Sequence, residues 1–241
     1  MKNWSWRALG RVAMVAAVLG IGSAAVGSEG TPGLESLARL RAGNARFVTN
    51  PSEALPIDAA RRAVLVNGQT PFASVLSCAD SRVPPEVIFH TGLGDLFVVR
   101  AAGEVADKSV IASLEYGAEH RHTPLLVVMG HEFCGAVKTA IETPAGVSMG
   151  PNLDFLLKAI QPSVARTAAI PEKQRLRAAI LDNVEEQIND LVKDSAILRH
   201  LSQTGALVMV GAYYELSSGR VLFSDVIAPS APAMHDTAHR D

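Results

Sequence analysis

Phe72-Ala73-Ser74-Val75-Leu76-Ser77-Cys78-Ala79-Asp80-Ser81-Arg82-Val83-Pro84-Pro85 is small or apolar up to Ser77 and polar beyond it. A short continuous apolar run bounded by breakers has the length and composition of a buried strand. Just past its carboxyl end come a thiol (Cys78), a carboxylate (Asp80) and a guanidinium (Arg82). Ligands of open α/β sheets sit at that end of the strands. A thiolate ligates zinc, and a carboxylate can ligate it or hold a water on it. Arginine is the bidentate partner that competes with a metal for the carboxylate. Taken alone, a cysteine at a strand end also reads as a small buried hydrophobe.

A second stretch repeats the architecture. Leu125-Leu126-Val127-Val128-Met129 is another strand-like run, and it ends in Gly130-His131-Glu132-Phe133-Cys134-Gly135-Ala136-Val137. Here an imidazole and a thiol lie three residues apart at a strand-to-helix turn, and a helix amino terminus favours the thiolate. Cys78, His131 and Cys134, with Asp80 as an optional fourth, form a tetrahedral zinc set. The chain has no other cysteine. In an oxidising compartment two cysteines also suggest a disulfide. A disulfide has no use for Asp80 and Arg82 beside one cysteine or His131 beside the other, which favours the metal.

At 241 residues, 48% hydrophobic and 19% charged, the chain suits one α/β domain with a full core. A net charge of −2 and 5% aromatic residues, without a basic run, argue against nucleic-acid binding. Lys2, Arg7 and Arg11 precede an apolar run from Val12 to about Gly22, and small residues follow to Ser28. That order reads as a secretory signal peptide, with an uncleaved amino-terminal anchor as the alternative, and the apolar run is short for a membrane span. The expected organisation is a signal peptide over 1–27, one domain over 28–228 and a loose tail over 229–241. The mature protein is then periplasmic or secreted, with no stable membrane span.

The remaining pattern alternates helix and strand. Helices are expected over 34–48, 57–66, 107–119, 135–143, 152–160 and 172–201, with a short turn of helix after Pro85. Strands are expected over 96–100 and 205–213, and Ser218-Gly219 turns the chain into a last strand from Arg220. The fold class is therefore α/β: a mainly parallel central β-sheet flanked by helices on both faces, with a C-terminal hairpin strand. From spacing alone Gln69 is an exposed turn residue, and Tyr116 is a core residue with a satisfied hydroxyl.

Cys78-Ala79-Asp80-Ser81-Arg82 together with His131-Glu132-Phe133-Cys134-Gly135 resembles the β-class carbonic anhydrases. The resemblance continues through Asn44-Ala45-Arg46-Phe47, Gly94 to Arg100, Leu114-Glu115-Tyr116 and Gly211-Ala212-Tyr213-Tyr214-Glu215. It implies one Zn2+ per chain, bound by Cys78, His131 and Cys134. The fourth position goes to water in an open form, or to Asp80 in a closed one. It implies a substrate pocket drawn from Gln69, Phe97, Tyr116 and Gly135, partly supplied by a neighbouring subunit. The partners are then CO2 or bicarbonate and a second copy of the chain, in a homodimer or dimer of dimers with shared active sites. One segment departs from the family: Ala101-Ala102-Gly103-Glu104 stands where many members are rich in asparagine.

The implied reaction is reversible hydration of CO2 to bicarbonate and a proton, by attack of a zinc-bound hydroxide. Asp80, fixed by Arg82, is the catalytic carboxylate that orients it. Two thiolate ligands imply an alkaline activity optimum. His90 is a candidate proton shuttle. The alternatives are hydrolysis of COS or CS2 on the same scaffold, and a non-catalytic module held by zinc or a disulfide.

Overall fold

The computed structural model describes residues 31–226, so the expected signal peptide over 1–27 and tail over 229–241 lie outside the described residues. The elements run α1 (Pro32–Thr49), α2 (Ala59–Leu65), β1 (Ala73–Ser77), α3 (Pro85–Ile88), β2 (Leu96–Arg100) and, after a 3-10 turn at Ala102–Glu104, α4 (Lys108–His120). They continue with β3 (Leu125–His131), α5 (Gly135–Glu142), α6 (Pro151–Arg166), α7 (Glu172–Asp194), α8 (Ala196–Gln203), β4 (Val208–Tyr214) and β5 (Val221–Val226).

Both quoted apolar runs become central strands. Every residue of β1 and of β3 is buried, as expected where helices cover both faces of a parallel sheet. The strand order is β2-β1-β3-β4-β5, parallel except for the antiparallel β4–β5 hairpin. Alternate residues face opposite ways. Val75, Val127 and Met129 pack with Leu37 and Leu40 of α1, whereas Leu76, Leu126 and Val128 pack with Leu114, Val184, Ile188 and Leu198 of α4, α7 and α8. A third cluster, around Cys78, Cys134, Ile160 and Ile180, lies beneath the strand ends.

Two local features hold α1 to the sheet. Gly43 lets the helix touch α3: a Cβ there would sit 1.9 Å from the Phe89 carbonyl oxygen. Buried Asn44 donates to the carbonyls of Ile88 (3.1 Å) and Gly219 (2.9 Å) and accepts from the Val221 N–H (2.9 Å). That one side chain ties helix, short turn and hairpin together.

Two expected boundaries move. The helix over 172–201 is two helices, because Ser195 is extended and caps α8 by accepting from the Leu198 N–H. Apolar periodicity runs through this break, so spacing missed a cap that hydrogen bonding makes. The helix over 152–160 continues to Arg166 with Pro162 inside it. Burial of Ile160 and Ser163 outweighs the local breaker. Among the described residues, no helix is long and apolar enough to cross a membrane.

Candidate metal centre

The chain passes from β1 to β2 on one side and then returns to β3 on the other, so successive crossovers diverge between β1 and β3. In open α/β sheets the crevice beyond such a switch point is where ligands bind. β1 delivers Cys78 there, β3 ends on His131, and Cys134 is the N-cap of α5. One ligand atom from each lies within 4.8 Å of the others, and all three residues are buried.

The donor chemistry matches the geometry. His131 donates its Nδ1–H to the Glu132 carbonyl (2.9 Å), which leaves the Nε2 lone pair for the site. That buried Nε2 has no hydrogen-bond partner. The two thiols share one charge. Cys78 is pulled below the usual thiol range, first by the Cys134 thiol and then, against the cost of burial, by His131 and the N–H groups of Gly103 and Asp80. Cys134 is pushed up because the charge sits on Cys78 and because it is buried. A divalent cation among these atoms removes the penalty on the second thiolate. The residues present could therefore hold a soft or borderline divalent metal.

Asp80 stands beside this group. Arg82 grips it in a fork, Nε to Oδ1 at 2.9 Å and Nη2 to Oδ2 at 2.7 Å, and the Arg82 N–H adds a third bond at 2.9 Å. The guanidinium holds the carboxyl well below the usual carboxylate range. Asp80 Oδ2 is 3.9 Å from His131 Nε2. Arg100, opposite Ser77 on β2, donates to the carbonyls of Cys78 (3.0 Å) and Asp80 (2.5 Å). Sequence reading left Arg100 as a strand end. Its position at the carboxyl end of a neighbouring parallel strand was the available signal.

The carbonic anhydrase family model matches residues 73–221. The chain belongs to the carbonic anhydrase family. It is 36% identical over 191 residues to carbonic anhydrase 2 of Mycobacterium tuberculosis, an alignment covering 78% of this chain and 91% of that one. It is 37% identical over 194 residues to a carbonic anhydrase of Mycolicibacterium smegmatis, covering 76% and 88%. The fold is that of the β class. A tetrameric β-carbonic anhydrase from the ascomycete Sordaria macrospora superposes with a TM-score of 0.62 at 23% identity, covering 82% of this chain and 98% of that one. The β-carbonic anhydrase CcaA gives 0.61 at 24% identity, covering 82% and 94%.

The pocket residues behave differently from the donors. Gly135 follows Cys134 directly, and a Cβ there would meet nothing within 4 Å. Gln69 is exposed, on a cleft of about 540 Å³ whose lining includes Leu65, Leu93 and Arg121 but none of the donors. Tyr116 is 43% exposed rather than a core residue. Its ring meets Phe97 and His120, and its hydroxyl accepts from Arg121. The apolar periodicity of α4 placed Tyr116 in the core, but its side of the helix runs past the edge strand β2. His90, the candidate proton shuttle, is not a surface loop residue. It is buried, 3.5 Å from Glu53, in a cavity that none of the donors lines.

Glu104 is a second residue that sequence reading missed. It is fully buried with φ of 46°, a left-handed conformation uncommon outside glycine. Oε1 accepts from Asn183 Nδ2 (3.1 Å), and Oε2 has no partner. Burial first, and the Cys78 charge second, push its carboxyl well above the ordinary range. The departure at 101–104 was the only sign in the sequence.

Proposed function

We propose that the chain carries out its family's reaction, reversible hydration of CO2 to bicarbonate and a proton, at one zinc ion held by Cys78, His131 and Cys134. The observation that carries this reading is the convergence of those three buried donors at the β1/β3 switch point, beside a carboxylate already engaged by Arg82. Zinc in such a site acidifies water toward a pKa of ~7 and so supplies a nucleophile at neutral pH. Asp80 would accept a hydrogen bond from that nucleophile and aim it. Arg82 keeps Asp80 ionised and occupies both of its oxygens, so the carboxylate would compete less for a bound metal. Arg100 fixes the backbone on which both Cys78 and Asp80 ride.

The substrate pocket is shared between two copies of the chain, with Gln69, Phe97 and Tyr116 facing a partner's metal centre and Gly135 at its own. Three observations support this. β2 is an edge strand, α2 buries no residue, and Val64 and Val66 beside Gln69 are 66% and 84% exposed. Exposed edges and apolar faces of this kind are ordinarily covered. The assembly is a homodimer or a dimer of dimers. Residues 1–27 direct export, and the mature amino terminus at Ser28 is checked by mass spectrometry.

The test is metal content with stopped-flow CO2 hydration at pH 7 and 8.5. About one zinc per chain, with faster hydration at the higher pH, is the expected result. A protein with stoichiometric zinc and no hydration at either pH would overturn the reaction. Absence of zinc together with absence of free thiols would overturn the metal site.

A further inference from the structure

Two carboxamides on one face of α7 serve no purpose in the reaction as described, yet they are among the most buried polar groups of the chain. Asn183 is 0% and Gln187 1% exposed, one helical turn apart. Asn183 Nδ2 donates to the Gly103 carbonyl at 2.8 Å and to Glu104 Oε1 at 3.1 Å. Asn183 Oδ1 accepts from Gln187 Nε2 at 3.3 Å, and Gln187 Oε1 accepts from the Ala106 N–H at 2.8 Å. Their side-chain bonds beyond α7 thus end on one short segment, 103–106.

That segment is unusual in its own right. Gly103 and Glu104 both have positive φ, 63° and 46°, a conformation that persists only when its surroundings over-determine it. The Ala101 N–H donates to Ser77 and the Ala79 N–H donates to Ala101, so the segment is also tied to the end of β1. The result of this bracing is one directed donor: the Gly103 N–H points at Cys78 Sγ, 3.4 Å away. Val184 and Ile188 beside the carboxamides are plain apolar packing, so α7 could have been docked without burying amides.

We propose that Asn183 and Gln187 are positioning residues for the metal centre, holding the 103–106 segment so that the Gly103 N–H hydrogen-bonds the Cys78 thiolate. This rests on Cys78 being a zinc ligand. An N–H bond to the sulfur orients the ligand and draws charge from it. Its loss loosens the metal and makes the site less acidic, shifting the rise of hydration to higher pH. Partners of metal ligands typically change metal affinity or activity by about 10–100-fold when removed.

The experiment compares Asn183→Leu with Ile188→Val, an equally buried change on the same helix, in the full chain. Zinc affinity is read by chelator competition. The thiolate-to-metal charge-transfer band is read after cobalt(II) replacement, and a melt gives stability. Asn183→Leu is expected to weaken zinc by about 10–100-fold and to move the cobalt band, whereas Ile188→Val lowers the melting temperature alone. Wild-type zinc affinity and an unmoved band in Asn183→Leu overturn the proposal, even if the protein is less stable. Should Asn183→Leu not fold, Gln187→Met removes the Ala106 bond and the brace on Asn183 at similar volume, and the same two readouts decide. Wild-type protein and Cys78→Ser are titrated alongside. If wild type binds no metal, the zinc reading itself fails. If wild type binds and Cys78→Ser does not, an unchanged Asn183→Leu defeats only the positioning role.

Discussion

The metal donors and the pocket residues both lie at or near strand ends and the helices and turns beside them, yet only one set is enclosed by its own chain. Cys78, His131 and Cys134 are 4%, 0% and 0% exposed, with bonds to Glu132 and Gly103 already orienting two of them. Tyr116 is 43% exposed and Gln69 lies open. The difference follows from sheet position. β1 and β3 each have a strand on both sides, so side chains at their ends meet other elements of the same chain. Among the described residues β2 is an edge, and no described strand lies beyond it. A chemistry centre built at an interior switch point is self-sufficient. A pocket wall built at an edge is completed from outside only if, as proposed, a second copy covers it.

The hardest test of that contrast uses two inactive chains. Cys78→Ser removes a donor and is expected to lower zinc occupancy and hydration by more than about 100-fold. Gln69→Ala combined with Tyr116→Ala keeps the zinc but loses on the order of 10-fold or more in rate, because substrate is no longer positioned. If pocket walls are exchanged between copies, refolding the two chains together restores about a quarter of wild-type hydration. Random pairing makes half the dimers hybrids, each with one whole site. No recovery above the double variant's own rate would mean that each chain completes its pocket alone.

Next in size is the carboxylate that borders both regions. Asp80→Asn should retain zinc and the fold while hydration falls by roughly 10²–10⁴-fold. The Arg82 fork depresses the Asp80 pKa. Its contribution to stability is therefore present above the ordinary carboxylate range and is lost only in strong acid, as pH falls through the depressed value. The wild-type pH–rate profile should accordingly show no inflection near pH 4–5 from this group. Arg82→Gln should bring one into view. An Asp80→Asn enzyme with full activity would remove Asp80 from the reaction.

These outcomes also show what the sequence carried. The donors and the Asp80–Arg82 fork were legible because both motifs follow directly on apolar runs, and strand ends in a parallel sheet converge by topology alone. The mainly parallel sheet and the hairpin followed from the same alternation. Ser195 was not legible, since a cap is defined by a hydrogen bond while the apolar spacing runs on past it. Arg100 and Glu104 were missed for a related reason. Their roles depend on which strand lies beside β1 and what α7 places over the 103–106 segment, and neither is local in sequence. The exposure of Tyr116 is invisible to periodicity, which treats every apolar helix face as core.

Glu104 gives a smaller effect, on the enclosed side. Its carboxyl is raised by burial, so the folded state holds a proton that the unfolded state releases. The sign is therefore opposite to that of Asp80. Metal-free protein has the full contribution below the ordinary carboxylate range, about pH 4, and loses it as pH rises through the raised value. Glu104→Gln keeps an acceptor for Asn183 and removes the titration. It should raise the melting temperature at pH 8 by roughly 2–4 °C for each kcal/mol regained, and change it little at pH 4. An equal shift at both pH values would mean that Glu104 is ionised in the fold.

The smallest effect is expected at Phe133, inside the turn that joins two donors. Its φ is 57°, and a left-handed backbone costs an L residue about 1–2 kcal/mol. At 60% exposure the ring recovers little of that by burial within the chain. Asparagine tolerates the conformation better, so in a self-contained metal centre Phe133→Asn should melt about 2–4 °C higher with zinc affinity unchanged. If the ring is instead covered by the second copy, the variant melts lower and the drop grows as protein concentration rises. Melts over a hundredfold dilution range separate the two. The second result would move the boundary between the enclosed and the borrowed halves of the site to within a residue of Cys134.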